Sequence, residues 1–517
     1  LFSTLVLDYL RDAPEVKSLY QHRPDHEGLN RAMEERKKFP TDRKLLHHVF
    51  RESYADGASP QQKANITALL SPDTFTICTA HQPNIFTGYL YFVYKIIHAI
   101  KLSDELNVMH PGARFVPVYY MGSEDNDLEE LGQIKLGGIK LEWKTKQTGA
   151  VGRMKVDKDF LRLISDIEGQ LGVQPFGKEL ISIIRDSYKE GESIAVATFR
   201  LVNHLFASYG LLVLQADHAG LKKLMQPVFD DDLFLHKPYE LVTKTGALLH
   251  HHYKVQVNPR EINLFYLVDD IRERITGNAA NFNVEPLKLQ FTKEQLKEEL
   301  QHNPGRFSPN VVLRGLYQET ILPNIAFIGG GSEIAYWLEL RALFDHYAVP
   351  FPVLVLRNSF LLASGEQEMK LLPMGLQLED LFTPEDQVLN DYVQRNSLNT
   401  VDVAEDKVAA AEFFDKLKAK AAGVDITLVQ HIEALHTKLQ KKLDGVGKKM
   451  LRAEKRKFET EKNQLHKIRQ SLFPGNSLQE RVDNFMPWYA RQGREFIEDL
   501  YRLSPALKNE FGIIVCK

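Results

Sequence analysis

Only two cysteines occur in 517 residues, Cys78 and Cys516, and they stand far apart in the chain. That excludes a disulfide scaffold and a thiolate zinc cluster, and it suits a reducing compartment. Cys78 lies in "TFTICTA", where alternation and β-branching predict a strand, so its thiol is expected to be buried and unreactive. No apolar stretch reaches the roughly 20 residues that a membrane-spanning helix needs. The first residues, "LFSTLVLDYLRDAPEV", lack a basic n-region and a small-residue cleavage site. A cytoplasmic protein without a membrane partner is the expectation. Excess charge is missing too: 65 Lys and Arg against 68 Asp and Glu leave a formal net charge of -3. That balance gives no electrostatic argument for nucleic acid or for an anionic membrane.

Two phosphate-binding signatures are also absent. There is no G-x-x-x-x-G-K-[ST], which excludes a P-loop. The glycine run "FIGGGSEIAYW" is not G-x-G-x-x-G, because Ile334 occupies the third glycine position. The strand after it, "VLVLRN", ends in Arg357 and Asn358 instead of an acid that could hold a ribose. A dinucleotide-binding reading is weak.

What is present is an ordinary globular composition, 44% apolar and 26% charged, in a chain long enough for two or three domains. "TFTICTA" reads as a strand, "HQPNIFTG" as a polar turn, and "YLYFVYKIIHAIKLSDEL" as a helix with Lys95, Lys101 and Glu105 on its polar face. "RFVPVYYMG" is another strand. The grammar returns in "SYGLLVLQADH" and in "ILPNIAFIGGGSEIAYWLELRALFDHYAVPFPVLVLRNS". Strand, loop, helix, strand is the succession of a parallel α/β sheet, so a Rossmann-like doubly wound core is predicted. The expected division is 1–237, first part of the core with N-terminal helices; 238–310, an inserted β-rich subdomain; 311–375, the second part of the core; 376–475, a helical coiled-coil domain; and 476–517, a segment returning to the core.

In the helical part, Ile432, Leu435, Leu439, Leu443, Val446 and Met450 form an apolar seam at three- and four-residue steps. Asp425 is the expected N-cap, Pro474-Gly475 the expected stop, and "VAAAEFFDKLKAKAAG" the other arm of an antiparallel hairpin. The seam can bury itself within the hairpin or against a second subunit. Gly445 and Gly447 argue against one unbroken rod, at about 1 kcal/mol each relative to alanine.

Four stretches carry candidate chemistry. His81, Gln82 and Asn84, with Thr87-Gly88 leading into a helix, follow a strand end, where backbone N–H groups favour a phosphate or carboxylate. The alternative is that His81 caps the strand while Asn84 and Thr87 cap the helix. In "MGSEDNDLEEL", Ser123, Glu124, Asp125 and Asp127 gather at another strand end; such acids can bind an amine, hold Mg²⁺ or act as a general base, or merely complement a helix dipole. Gly329, Gly330 and Gly331 permit close backbone approach, Ser332 can cap the next helix, and Glu333, Tyr336 and Arg357 are possible substrate contacts. In "FSPNVVLRGLYQETILPN", Ser308, Asn310, Arg314 and Gln318 are polar groups spaced through an apolar helix, with Arg314 either an ion-pair member or an anion clamp. His250, His251 and His252 are consecutive, so their side chains diverge and no metal site is expected from them.

"TAHQPNIFTGYLYFVYKIIHAIKLSDEL", "VPVYYMGSEDNDLEEL", "NLFYLVDDIRERI", "FSPNVVLRGLYQETILPNIAFIGGGSEIAYWLELRALFDHY" and "SLQERVDNFMPWY" occur in this order over nearly the whole chain. Together they resemble the BshC family, the cysteine-adding enzymes of bacillithiol biosynthesis. The resemblance implies a cytoplasmic ligase that joins cysteine to glucosaminyl-malate. It implies a core related to nucleotidyltransferases and class I synthetases, with connecting insertions and a coiled-coil domain used for homodimerisation. The family's loop usually reads Gln-Gln-Pro-Gly, against His81-Gln82-Pro83-Asn84 here, and its glycine run commonly has a proline where Gly330 or Gly331 stands. Joined to the residues, the resemblance gives an expected mechanism. ATP with Mg²⁺ activates the cysteine carboxylate as an acyl-adenylate or acyl-phosphate, held by 81–88 and 329–332. Glu124 or Asp125 recognises or deprotonates the amine, with His81 as a further catalytic candidate. An adenylyltransferase for another amino acid, and a coiled-coil scaffold with a vestigial nucleotide fold, are the alternatives.

Overall fold

The computed structural model describes residues 2–55, 57–277, 281–399 and 402–516. It divides into two compact units, Leu1–Phe360 with Glu480–Gly512, and Leu361–Gln479 with Ile513–Lys517.

The first unit is built on a parallel sheet of β1 (Thr74–His81), β2 (Arg114–Met121), β3 (Leu212–Gln215), β4 (Asn324–Gly329) and β5 (Val353–Leu356), in the order β5-β4-β1-β2-β3. This is the doubly wound Rossmann order seen from its far edge. Every residue of β1 is buried, as a parallel strand covered on both faces must be. The pleat sends Phe75 and Ile77 into one core with Phe115, Ile325 and Val353, and Cys78 and Ala80 into another with Val118, Tyr120 and Leu354. Burial pushes the Cys78 thiol well above its ordinary pKa, which makes it inert.

Register fixes where a ligand can sit. His81 pairs with Met121, Met121 with Gln215, and Gly329 with Leu356, so all five carboxyl ends share one edge. The chain runs outward from β1 through β2 and β3, then returns to lay β4 and β5 on the other side. Strand order therefore reverses between β1 and β4, the position at which open α/β sheets bind ligands.

Helix α1 (Leu90–Met109) joins β1 to β2. Its periodicity places Lys95 among solvent-facing residues, but in the fold Lys95 is 1% exposed. Its ammonium donates to the Ala80 carbonyl and to both oxygens of Glu333, at 2.9 and 2.7 Å, so the buried charge is paired. Between β3 and β4, the stretch 238–310 opens as a helix, Lys237–Leu249, and its strands begin only at Leu264. Leu264–Val268 pairs antiparallel with Ile271–Arg274 and with Phe307–Pro309. Ser308 thus lies on a strand and Asn310 is the N-cap of α2 (Val311–Ile321), so neither is inside the helix that the sequence pattern gave them. Helix α3 (Gly331–Glu339) follows β4 directly.

The second unit contains the hairpin of α4 (Ala404–Ala422) and α5 (Thr427–Lys455), packed around Phe414, Ala421 and Ile432. Asp425 accepts the Thr427 N–H at 2.8 Å, but the N-cap position falls one residue later than expected, on Ile426. Gly445 and Gly447 do not interrupt α5. The break falls at Arg456–Phe458, before α6 (Glu459–Leu472), and so ahead of Pro474. Part of the seam stays uncovered: Leu435, Val446 and Met450 are 41%, 47% and 38% exposed.

Candidate active site

A cleft of about 510 Å³ opens between the end of β1 and the start of α3, at the point where strand order reverses. Of the residues singled out from the sequence, His81, Gln82, Glu124, Asp125, Asn310, Arg314, Gly330, Gly331, Ser332, Glu333, Tyr336 and Arg357 line it. Asn84, Thr87, Gly88, Ser123, Asp127 and Gly329 lie outside its lining.

The loop after β1 explains part of that division. Phe86, Thr87 and Gly88 all have positive φ, at 49°, 67° and 67°, a succession that costs backbone strain and must be held. The Phe86 N–H donates to Tyr188 Oη at 2.9 Å, and the Asn484 amide donates to the carbonyls of Phe86 and Gly88. A Cβ at Gly88 would press on Asn84 at 2.8 Å. Asn84 and Thr87 turn into the protein and cap no helix, since α1 starts from Tyr89 without a side-chain cap. Only His81 and Gln82 from this loop reach the cleft. The His81 ring packs edge-on to Tyr91 at 5.4 Å and against Phe92 at 5.3 Å. Burial, with Lys95, Arg314 and Arg357 nearby, holds it well below the ordinary histidine pKa. It is neutral at pH 7, and its Nε2 has no hydrogen-bond partner among the described residues.

The two candidate acids are held differently. Glu124 accepts from Lys222, whose buried ammonium also donates to Asp217 at 2.9 Å and to the Gly305 carbonyl at 3.0 Å. Arg153 grips Asp217 by two bonds, at 2.7 and 3.1 Å. Burial raises the Glu124 pKa against the pull of Lys222. Burial acts upward on Asp217 too, but Lys222 and Arg153 outweigh it and the net direction is down. Asp125 forms no ion pair among the described residues, although Arg272 and Arg314 lie near enough to feel its charge. It accepts the Gln82 amide at 3.2 Å and the Asp127 N–H at 3.2 Å. Asp127 caps the following turn through the Glu130 N–H at 3.0 Å, and Ser123 is packed on Gly152, away from the cleft.

At the start of α3 the cap is Gly330, not Ser332, which sits in the first turn. Glu333 reaches back to the Gly330 N–H at 2.9 Å while binding Lys95. A Cβ at Gly329 or Gly331 would meet Phe327 at 2.8 Å or Phe2 at 2.7 Å, so packing alone demands both glycines. Arg314 hydrogen-bonds the Tyr336 hydroxyl. Arg357 is committed to Glu480 at 2.6 Å, and to the Asn358 carbonyl and Ser359 hydroxyl.

Four cations escaped the sequence reading: Arg153, Lys222, Arg272 and Arg481. Arg272 lines the cleft over the Phe265 ring, 3.9 Å away, and donates to Ser308 at 3.0 Å and Asn126 at 3.2 Å. Each lies in a segment whose local pattern reads as loop or insertion. Among the described residues no group of three His, Cys, Asp or Glu side chains forms a metal site, His250–His252 included. Mg²⁺ carried by phosphates keeps most of its ligands from water and phosphate and asks for one or two carboxylates, a demand Asp125 can meet.

A buried chain supports the cleft from behind. Asp232, on the helix Gln226–Phe234, accepts the Asn263 N–H at 2.6 Å and amide at 2.9 Å, and Asn263 accepts the Asn310 amide at 3.0 Å. Burial pushes the Asp232 carboxyl from 3.8 up to about 7, against those two bonds. The folded state then holds this proton more tightly than the unfolded one. Its contribution is present at low pH and is lost as pH rises from 3.8 through about 7. Asp232→Asn is expected to flatten the fall in unfolding free energy across that window. Urea midpoints that decline in parallel with the wild type would show Asp232 ionised throughout.

The sequence profile of "Bacillithiol biosynthesis BshC, N-terminal Rossmann-like domain" matches residues 2–358, and that of the C-terminal coiled-coil domain matches 360–516. The chain belongs to the BshC family. A protein of Flavobacterium johnsoniae named "Putative cysteine ligase BshC" is 38% identical, over 99% of this chain and 97% of its own length. BshC proteins of the same name from Christiangramia forsetii and Cytophaga hutchinsonii are 37% and 35% identical, over 99% and 100% of this chain and 97% and 96% of their own lengths. Both BshC domains are therefore present in the order and proportion of the relatives, and no helix of the described residues is long and apolar enough to cross a membrane.

Proposed function

We propose that this protein is a cytoplasmic ligase that forms the amide between the carboxyl group of cysteine and the amine of glucosaminyl-malate, the last step to bacillithiol. Family membership over the full length supports the cysteine-ligase class. The observation that carries the chemistry is Asp125, a carboxylate in no ion pair among the described residues, in a cleft whose other lining includes several guanidinium groups. Amide formation at neutral pH needs an activated carboxylate and an amine that loses a proton. ATP with Mg²⁺, when bound, would supply the activation. The Gly331 and Ser332 N–H groups, without acceptors inside α3, offer donors to phosphate or carboxylate oxygens. Asp125 takes the proton from the attacking amine, while Glu124 is fixed beside it by Lys222. His81, neutral, offers a hydrogen bond and no charge. Groups fixed in this way can lower a barrier by several kcal/mol without a covalent nucleophile.

Incubating the purified protein with ATP, Mg²⁺, cysteine and glucosaminyl-malate should give bacillithiol by mass spectrometry, with matching nucleotide turnover. Folded protein that binds both substrates yet makes neither product would remove ATP-driven ligation. Turnover with a different amino acid would make it a different adenylyltransferase. The uncovered stripe of Leu435, Val446 and Met450 supports a homodimer through the helical unit, which sedimentation velocity reads directly.

A further inference from the structure

The charges of the cleft do not cancel once each is assigned its partner. Lys95 belongs to Glu333, Arg357 to Glu480, and Glu124 to Lys222. Arg272 is spent on a hydroxyl, an amide and a carbonyl. Four charged groups of the lining are left over. Two are carboxylates on the β2 side, Asp125 and Glu130; among the described residues neither forms an ion pair, though Arg272 and Arg314 lie near enough to Asp125 to feel its charge, and partial burial with Asp127 and Asp125 close by raises the Glu130 pKa. Two are guanidinium groups: Arg314, whose one hydrogen-bond partner is the Tyr336 hydroxyl, and Arg481, whose side chain makes no hydrogen bond or ion pair among the described residues. Arg314 comes from α2 and Arg481 from the segment that rejoins the first unit after the helical one. Two chain segments 167 positions apart in numbering thus bring unspent cations to one cleft.

Arginine is the residue for planar, two-point recognition of carboxylates, and a guanidinium whose one hydrogen bond goes to a phenol keeps most of its donors free. A ligand that complements this lining carries two negative charges at one end and an amine at the other. Cysteine, with one carboxylate, leaves a guanidinium unanswered. A glucosamine joined to a diacid answers both guanidinium groups and sets its one amine beside Asp125 and Glu130.

Resting on the ligase reading above, we propose that Arg314 and Arg481 form a dicarboxylate subsite that holds the malate end of the sugar substrate and so presents its amine to Asp125. Arg481 is then a specificity residue, engaged with the part of the substrate that does not react. Its loss should act on recognition of the diacid and leave the nucleotide alone.

Calorimetry on the full-length protein tests this with four probes: glucosaminyl-malate, L-malate, methyl glucosaminide and ATP. Arg481→Gln changes an exposed side chain. It should weaken glucosaminyl-malate and L-malate by about tenfold or more, the scale of one charge-assisted contact, and leave methyl glucosaminide and ATP unchanged. Arg314→Lys, which keeps the charge and loses the fork, should weaken the same two ligands; its thermal melt shows whether it is folded. Unchanged diacid binding in Arg481→Gln, or a loss that falls on ATP, overturns the subsite. Wild-type protein that binds L-malate through Arg481 but ignores glucosaminyl-malate would uphold the subsite and sink the ligase reading.

Discussion

Asp125→Asn is expected to lower kcat by about 10²–10⁴, the range that removal of a general base produces, with little change in stability. The side chain is part-exposed and holds only a 3.2 Å bond to Gln82 and a 3.2 Å bond to a backbone N–H, so asparagine fits the space. What it cannot do is take a proton from an attacking amine. A loss confined to kcat, with KM for glucosaminyl-malate nearly constant, marks an interaction realised in the transition state. A loss confined to KM would make Asp125 an anchor for the ammonium, and unchanged kcat and KM would remove it from the chemistry. Glu124→Gln is the comparison. It leaves Lys222 with Asp217, and its effect should be smaller because Glu124 is already engaged.

Lys222→Met should cost about 3–5 kcal/mol of unfolding free energy, the usual result of removing one partner from a buried ion pair. The Lys222 side chain is 0% exposed and serves three acceptors. Without it Glu124 and Asp217 face each other with Arg153 as the remaining cation on Asp217, and the Gly305 carbonyl loses its donor. Guanidinium unfolding monitored by circular dichroism reads the change. A shift under about 1 kcal/mol, the level of a surface pair, would show that water enters the network freely. Because Glu124, which Lys222 holds, lines the cleft, the same variant should also blunt activity.

The frame was legible in the sequence because parallel strands are apolar on both faces. "TFTICTA", "RFVPVYYMG", "LLVLQ" and "NIAFIG" stand out against their loops, and each became a strand of the sheet. The His81, Asp125 and Gly330 segments follow three of those strands, and one edge gathers them. Partnerships were not legible. Lys95 sits in a helical pattern where a lysine normally reads as surface, and only its acceptors, Ala80 and Glu333, explain its burial. Lys222 and Glu124 are 98 positions apart and share no pattern. Arg481 lies in "SLQERVDNF", a stretch whose local spacing says nothing of a cleft. Capping was only roughly legible: Asp425 binds the first helical N–H but stands one residue before the N-cap, Ile426, while Ser332 yields to Gly330 because Glu333 already satisfies the Gly330 N–H.

The neighbour that β1 requires on its free side is far downstream: Thr76 meets Asn324, 248 residues later. At ribosomal rates of about 5–20 residues per second, that gap lasts on the order of ten to fifty seconds. Until then β1, joined first by β2 and later by β3, offers a raw edge to any passing strand, a hazard for chains of high contact order. Arg481 arrives later still, so the cleft lacks part of its lining until the chain has grown past that residue.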